Sequence, residues 1–205
     1  MKLYITLYSP YARMARIMLA EKGLESSIET IIARTREIGS PYYKINPSGR
    51  VPYLVRDDGV GMEDSQLICS YLDHFKGFPK FVTPRGNAGW ELRRLEALGR
   101  TMVEGASVWI RELLRREEER SPTIIDHEQR RLQRLADTWE EEIDNPFMHG
   151  QINMVQITLA CALQLEIWNP EFEWRKGHPL LVEWLNTISD RSSLSTTEPP
   201  GPLSK

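Results

Sequence analysis

Hydrophobic positions change their spacing partway along the chain, from mixed strand and helix signals to helical signals alone. Lys2 to Leu7 is rich in β-forming residues. Ser9-Pro10 then opens a helix with apolar residues at Met14, Ile17, Met18 and Leu19, and Gly23 closes it. Ile28 to Ile32 predicts a second strand, and residues 34–46 a loop with a short helix. Val51-Pro52-Tyr53-Leu54-Val55 predicts a strand that begins with a proline, Asp57-Asp58-Gly59 a turn, and Val60 to Met62 a short strand after it. Asp64 to Phe75 carries Leu67, Ile68, Tyr71 and Leu72 at helical spacing. The order β-α-β-(α)-β-β-α predicts a small mixed sheet flanked by helices.

Residues 77–86, GFPKFVTPRG, read as a linker because Pro and Gly interrupt both periodicities. Beyond it the strand signal disappears. Trp90 to Glu119 predicts one long helix with Leu92, Leu95, Leu98, Met102, Val103 and Ala106 on its apolar side, and the end RELLRREEER reads as a solvated helical face. Asp126 to Ile143 predicts a second long helix and Pro179 to Asp190 another. Gln156 to Trp168 is nearly all apolar, which predicts a helix buried on most sides. Just before it, Asn153 and Gln156 predict a capping box, with Gln156 reaching back to the cap. The tail SSLSTTEPPGPLSK has little to bury and is expected at the surface or disordered. The division is therefore an α/β domain over residues 1–78 and an all-helical domain over 87–205.

Composition narrows the function classes. With 205 residues, each of two small units can hold a core. A net charge of -3 gives no attraction to nucleic acid or to an anionic membrane surface, and neither is expected as a partner. The longest apolar run is far shorter than the ~20 residues of a membrane span. Met1 to Tyr8 reads as a strand, not a signal peptide, so a cytoplasmic location is expected. Cys69 and Cys161 make no CxxC pair and are expected as small buried hydrophobes. His74, His127, His149 and His178 show no ligand spacing, so no metal is expected.

Two helix starts carry chemistry. At Asp64-Ser65, backbone N–H groups and the positive end of the helix dipole favour an anion, and the same two residues also make a good plain N-cap. At Ser9, a strand ends and a helix begins. A hydroxyl there serves as an N-cap before Pro10 and as a hydrogen-bond donor to an anion at the helix end.

Four segments in order carry a family resemblance. They are Tyr8-Ser9-Pro10-Tyr11-Ala12-Arg13-Met14-Ala15-Arg16-Ile17, then Asn46-Pro47-Ser48-Gly49-Arg50-Val51-Pro52-Tyr53-Leu54, then Glu63-Asp64-Ser65-Gln66-Leu67-Ile68, and GQINMVQITLACAL from Gly150 to Leu163. The closing stretch WRKGHPLLVEWL with its SSLSTTEPP tail belongs to the same pattern. The chain resembles the cytosolic glutathione transferases over nearly its whole length, with a serine-type N-terminal turn. One segment departs from the family, since Asn153-Met154-Val155-Gln156 stands where a Ser/Thr-x-x-Asp is usual.

The resemblance implies a thioredoxin-like N-terminal domain that binds glutathione and an all-helical domain that contributes a site for a small apolar electrophile. It implies glutathione as co-substrate, no other cofactor, a detoxification role and a two-fold homodimer. The glutathione site would comprise Ser9, Arg50, Val51, Pro52, Asp64 and Ser65. Val51-Pro52 would be cis and present the Val51 backbone to the cysteinyl part of glutathione, and Ser65 would meet the γ-glutamyl carboxylate. Ser9 would hold glutathione as thiolate. Lowering a thiol pKa from about 8.5 by roughly two units corresponds to about 2.7 kcal/mol. Tyr8, Tyr11 and Tyr4 are alternatives, because other classes use a tyrosine. Tyr11, Met102, Val103, Ser107 and Trp109 would line the second-substrate pocket. Many relatives carry an acidic residue early on the first long helix, reaching the partner's glutathione. That position is Arg100 here, with Glu104 one turn on, where it would pair with Arg100 or take over the ammonium. On this register Arg100→Asp would tighten glutathione binding. The alternative function is a non-catalytic glutathione-binding or regulatory protein on the same fold.

Overall fold

The computed structural model describes residues 1–77 and 79–201. Phe78 of the predicted linker and the last four residues of the tail lie outside the described residues. The described residues divide into two compact units, Met1–Val82 with Ser193–Pro200, and Thr83–Ser192 with Gly201.

The first unit is a thioredoxin-like sheet of four strands, β1 (Lys2–Ile5), β2 (Glu29–Ile32), β3 (Tyr53–Val55) and β4 (Gly61–Glu63), in the order β2-β1-β3-β4. β1 runs parallel to β2 and antiparallel to β3, and β3 runs antiparallel to β4. The connection from β1 to β2 is helix α1 (Pro10–Lys22), which Gly23 closes in the left-handed conformation at φ 62°. Helix α2 (Ser65–His74) follows β4 directly. Leu3, Ile5 and Leu54 of the sheet and Ile17, Met18, Ile68 and Leu72 of the helices are 0–1% exposed and form the core. Cys69 is buried, as expected.

The tail corrects an expectation. Leu194 is fully buried, and Ser193 and Thr197 are buried as well. Polar contacts replace the missing hydrophobic surface. The Arg13 Nη2 donates to the Leu194 carbonyl at 3.3 Å, Arg16 Nη1 donates to the Thr197 carbonyl at 3.3 Å, and Ser193 Oγ donates to Glu21 Oε1 at 2.5 Å. Residues 193–200 thus group with the first unit, not with the helices of 87–205.

The second unit is helical, with α3 (Gly86–Leu113), α4 (Pro122–Glu142), α5 (Met154–Leu163) and α6 (Pro179–Ser189). α3 stops six residues short of the predicted Glu119. Arg120 explains the stop, because its side chain takes the Leu113 carbonyl at 2.7 Å and the Arg115 carbonyl at 3.2 Å. The acidic Glu117–Glu119 forms a separate single turn. α4 begins earlier than Asp126, at a Ser121 cap with Pro122 in the first turn. The apolar run 156–168 splits at Leu163 into α5 and a tighter turn, Gln164–Trp168. Asn153 caps α5 through Oδ1, accepting from Val155 N at 3.0 Å and Gln156 N at 3.3 Å. The reciprocal half of the expected capping box is absent, because Gln156 Nε2 donates instead to the Phe147 carbonyl at 3.0 Å, which Asn153 Nδ2 also reaches at 2.7 Å. Among the described residues no helix is long and apolar enough to cross a membrane.

Candidate functional site

Strand register decides what meets at one end of the sheet. Tyr4 of β1 pairs with Tyr53 of β3, and Tyr53 pairs with Glu63 of β4. The exit of β1, the entry of β3 and the exit of β4 therefore share an end. From there the chain runs into Ser9 and α1, arrives through Val51-Pro52, and leaves through Asp64 into α2. Ser9, Arg50, Val51, Pro52, Asp64 and Ser65 are gathered by topology alone. Both helices begin at this end, so two sets of orphan N–H groups and two positive dipole ends are present.

Ser9 is extended (φ -92°, ψ 117°) and half-buried, and its Oγ accepts from the Ala12 N–H at 3.1 Å. Capping uses a lone pair and leaves the hydroxyl proton available to an acceptor. Of the tyrosines considered beside it, Tyr8 is half exposed, Tyr11 is partly exposed, and the ring of Tyr4 packs against Tyr42 at 5.6 Å.

The Val51-Pro52 bond is cis. Among the described residues the Val51 N–H and carbonyl have no hydrogen-bond partner, and Val51 is partly exposed. The loop before it is fixed from both sides. The Arg50 carbonyl accepts from Tyr42 Oη at 2.5 Å and from Asn46 Nδ2 at 3.0 Å. Asn46 Oδ1 accepts from the Ser48 N–H at 3.1 Å, and Ser48 Oγ donates to Glu63 Oε2 at 2.5 Å. Burial pushes the Tyr42 hydroxyl pKa up, which keeps it a donor. Gly49 sits at φ 67°, where a side chain would be strained and would also meet the Tyr43 ring. The Arg50 side chain is left exposed. Sequence reasoning missed Tyr42, Asn46 and Glu63 as supports, although Asn46-Pro47-Ser48 is an Asx-turn signal.

Asp64 caps α2 through Oδ1, accepting from Gln66 N at 2.9 Å and Leu67 N at 3.0 Å. It does so at φ 78°, a left-handed conformation that non-glycine residues adopt at a cost of about 1–3 kcal/mol and that concentrates at ligand sites. With those two N–H groups taken, the Ser65 N–H and hydroxyl remain as donors without a partner among the described residues.

The four positions expected on α3 belong to the other unit, and there the pocket expectation is corrected. Met102 and Val103 are 0% exposed and Trp109 is 1% exposed, with its ring against Phe172 at 6.4 Å. They are core, and they offer no surface to a substrate. Ser107 keeps partial exposure, but its Oγ is buried. The Arg100–Glu104 pairing is also corrected. Arg100 Nη1 lies 3.0 Å from Oε1 of the buried Glu96, one turn back, while Glu104 pairs with Arg131 of α4 at 3.0 Å.

The model of the glutathione S-transferase N-terminal domain matches residues 8–74, which contain every residue gathered at the sheet end. Over the full length the chain is 27% identical to the uncharacterized GST-like protein YibF of Escherichia coli K12, across 98% of this chain and 99% of that one. A glutathione transferase family member from Pseudomonas fluorescens Pf-5, solved with bound S-(propanoic acid)-glutathione, is 30% identical over 98% of this chain and 100% of its own, at a TM-score of 0.85. A structure from the same organism with bound glutathione is 30% identical over 97% of this chain and 98% of its own, at a TM-score of 0.87. On this identity, coverage and shared architecture, the chain belongs to the glutathione transferase family.

Proposed function

We propose that the protein binds glutathione at the shared sheet end and transfers it to a small apolar electrophile. The observation that carries this reading is the unpartnered Val51 backbone lying between two helix N-termini. The Val51 N–H and carbonyl suit the cysteinyl amide groups of a peptide laid alongside as an extra strand. The Ser65 N–H and hydroxyl suit the γ-glutamyl carboxylate, and the Asp64 carboxylate suits the adjacent ammonium. The exposed Arg50 suits the remaining carboxylate.

The sulfur then lies towards Ser9, whose proton and helix end favour the thiolate. The thiol proton leaves to solvent, and the sulfur lone pair forms a bond to an electrophilic carbon. Either a leaving group departs with its electron pair, or the electrons of an activated double bond take up a proton at the neighbouring carbon. The bound structures of the Pseudomonas fluorescens relatives support the glutathione half of this reading. A detoxification role, a cytoplasmic location and a two-fold homodimer belong to the same proposal. Sizing of the purified chain checks the homodimer.

Calorimetric titration with glutathione, followed by a panel of aryl halide, epoxide, alkyl halide and peroxide substrates, tests the proposal. Binding with turnover of at least one electrophile is expected. Binding without any turnover favours the non-catalytic alternative, and absence of binding overturns both.

A further inference from the structure

Glu63 ends β4 with its side chain exposed, yet its carboxylate is tied to protein donors. Oε2 accepts from Ser48 Oγ at 2.5 Å and from Asn46 Nδ2 at 3.4 Å. Both donors belong to the loop that leads into Val51-Pro52. The register sets Glu63 opposite Tyr53, the residue directly after the cis proline. The next residue along the chain, Asp64, caps α2. One side chain therefore links the strand that delivers the start of α2 to the loop that delivers Val51.

The chemistry of the link has a direction. A carboxylate accepts and does not donate, so the Ser48 proton points at Glu63. The lone pairs of Ser48 Oγ are then turned to the Arg50 N–H, which reaches it at 3.2 Å. On the other side of the same residue, Tyr42 and Asn46 hold the Arg50 carbonyl. Arg50 is thus fixed at both of its backbone groups, and the groups that follow are the open N–H and carbonyl of Val51. Bonds to an ionised acceptor are the stronger kind. Without Glu63, the Ser48 hydroxyl is an unanchored rotor, and the Arg50 N–H loses its fixed partner.

We infer that Glu63 is a positioning residue for glutathione: acting through Ser48, it sets the Val51 backbone against the start of α2, so that the cysteinyl and γ-glutamyl contacts are made together. Glu63 itself touches no part of the ligand. The inference rests on the proposed glutathione reading and deepens it, because affinity then depends on a tie between two segments that each hold one part of the tripeptide.

The test is calorimetric titration with glutathione and with S-methylglutathione, whose sulfur cannot ionise. It uses the wild type, Glu63→Ala, Glu63→Gln, Ser48→Ala and the double variant Glu63→Ala/Ser48→Ala. Each alanine variant is expected to raise Kd about fivefold for both ligands. The double variant is expected to be no weaker than either single one, since both break the same relay. Glu63→Gln keeps an acceptor for Ser48 and is expected within about twofold of the wild type. Wild-type affinity in Glu63→Ala overturns the inference. So do losses that multiply in the double variant, and so does a loss confined to glutathione, which would place the effect at the thiol. Glu63→Gln as weak as Glu63→Ala also overturns it, by assigning the effect to charge acting directly on the ligand. If Glu63→Ala fails to fold, Ser48→Ala breaks the same relay and carries the test; failure of both to fold makes the tie structural and overturns the inference. All of these outcomes leave the glutathione reading standing, whereas a wild type that binds neither ligand removes both.

Discussion

Ser9 Oγ accepts a hydrogen bond from the Ala12 N–H at 3.1 Å, so the residue proposed to hold the thiolate is also the cap of α1. The two roles use different parts of one hydroxyl. They also predict different effects of substitution. Ser9→Ala removes both, lowering stability by about 1 kcal/mol through the lost cap and turnover at least tenfold, about 1.4 kcal/mol. Glutathione still binds, because its peptide is held elsewhere. Ser9→Thr restores cap and proton together. Melting and steady-state rates of the two variants check this, and unchanged turnover in Ser9→Ala passes the role to Tyr8 or Tyr11.

At the start of α2 the two neighbouring residues separate in the same way. Ser65→Ala is expected to weaken glutathione binding by about 1 kcal/mol, roughly fivefold, at unchanged melting temperature. Asp64→Asn keeps an N-cap oxygen and tolerates the left-handed backbone, so the fold holds while the charge for the ammonium is lost. Calorimetry with each variant reads the effect, and wild-type affinity in both removes this helix end from the site.

The sequence register predicts that Arg100→Asp tightens glutathione binding. The ion pair with Glu96 changes that expectation. An aspartate at position 100 faces the Glu96 carboxylate one turn away and strands it. Arg100→Asp should therefore cost about 1–2 kcal/mol of stability, and Arg100→Lys should recover most of it. Chemical denaturation of both variants decides, and a fully stable Arg100→Asp contradicts the pairing.

Much of the α/β unit could be read because its signals are local. Ser9-Pro10 and Gly23 bracket α1 through an N-cap and a left-handed stop, and neither depends on distant residues. What was not legible depends on partners far along the chain. Leu194 is the one leucine of SSLSTTEPP, and nothing in its neighbours announces that Arg13 and Arg16 will take the carbonyls around it. α3 ends before the sequence predicts, because RELLRREEER favours helix residue by residue while Arg120 captures the Leu113 and Arg115 carbonyls. Periodicity puts Met102 and Val103 on the apolar side of α3, but an apolar side is equally the pattern of a pocket wall and of a core. The left-handed backbone of Asp64 carries no sequence signal, since Asp-Ser reads the same at an ordinary cap.

Acid stability provides a test away from the site. The hydrogen bond from His178 to Asp137, at 2.9 Å, is the main cause holding the Asp137 carboxyl below its usual range, with Gln133 adding a second bond. A carboxyl with a folded pKa below its unfolded value stabilises the fold above the unfolded value. That contribution is lost as pH falls through the folded value. Asp137→Asn should therefore melt below the wild type at neutral pH, with the gap closing below about pH 4. A gap that persists unchanged in acid would assign the effect to packing.

The central claim is that the Ser9 end of the sheet holds glutathione as its thiolate, and the pH titration of thiolate absorbance in the bound complex tests it most directly. The account predicts that the wild-type complex titrates near pH 6.5, about two units below the free thiol, and that Ser9→Ala moves the midpoint most of the way back. A wild-type complex that titrates with the free thiol, or a Ser9→Ala complex indistinguishable from the wild type, contradicts it.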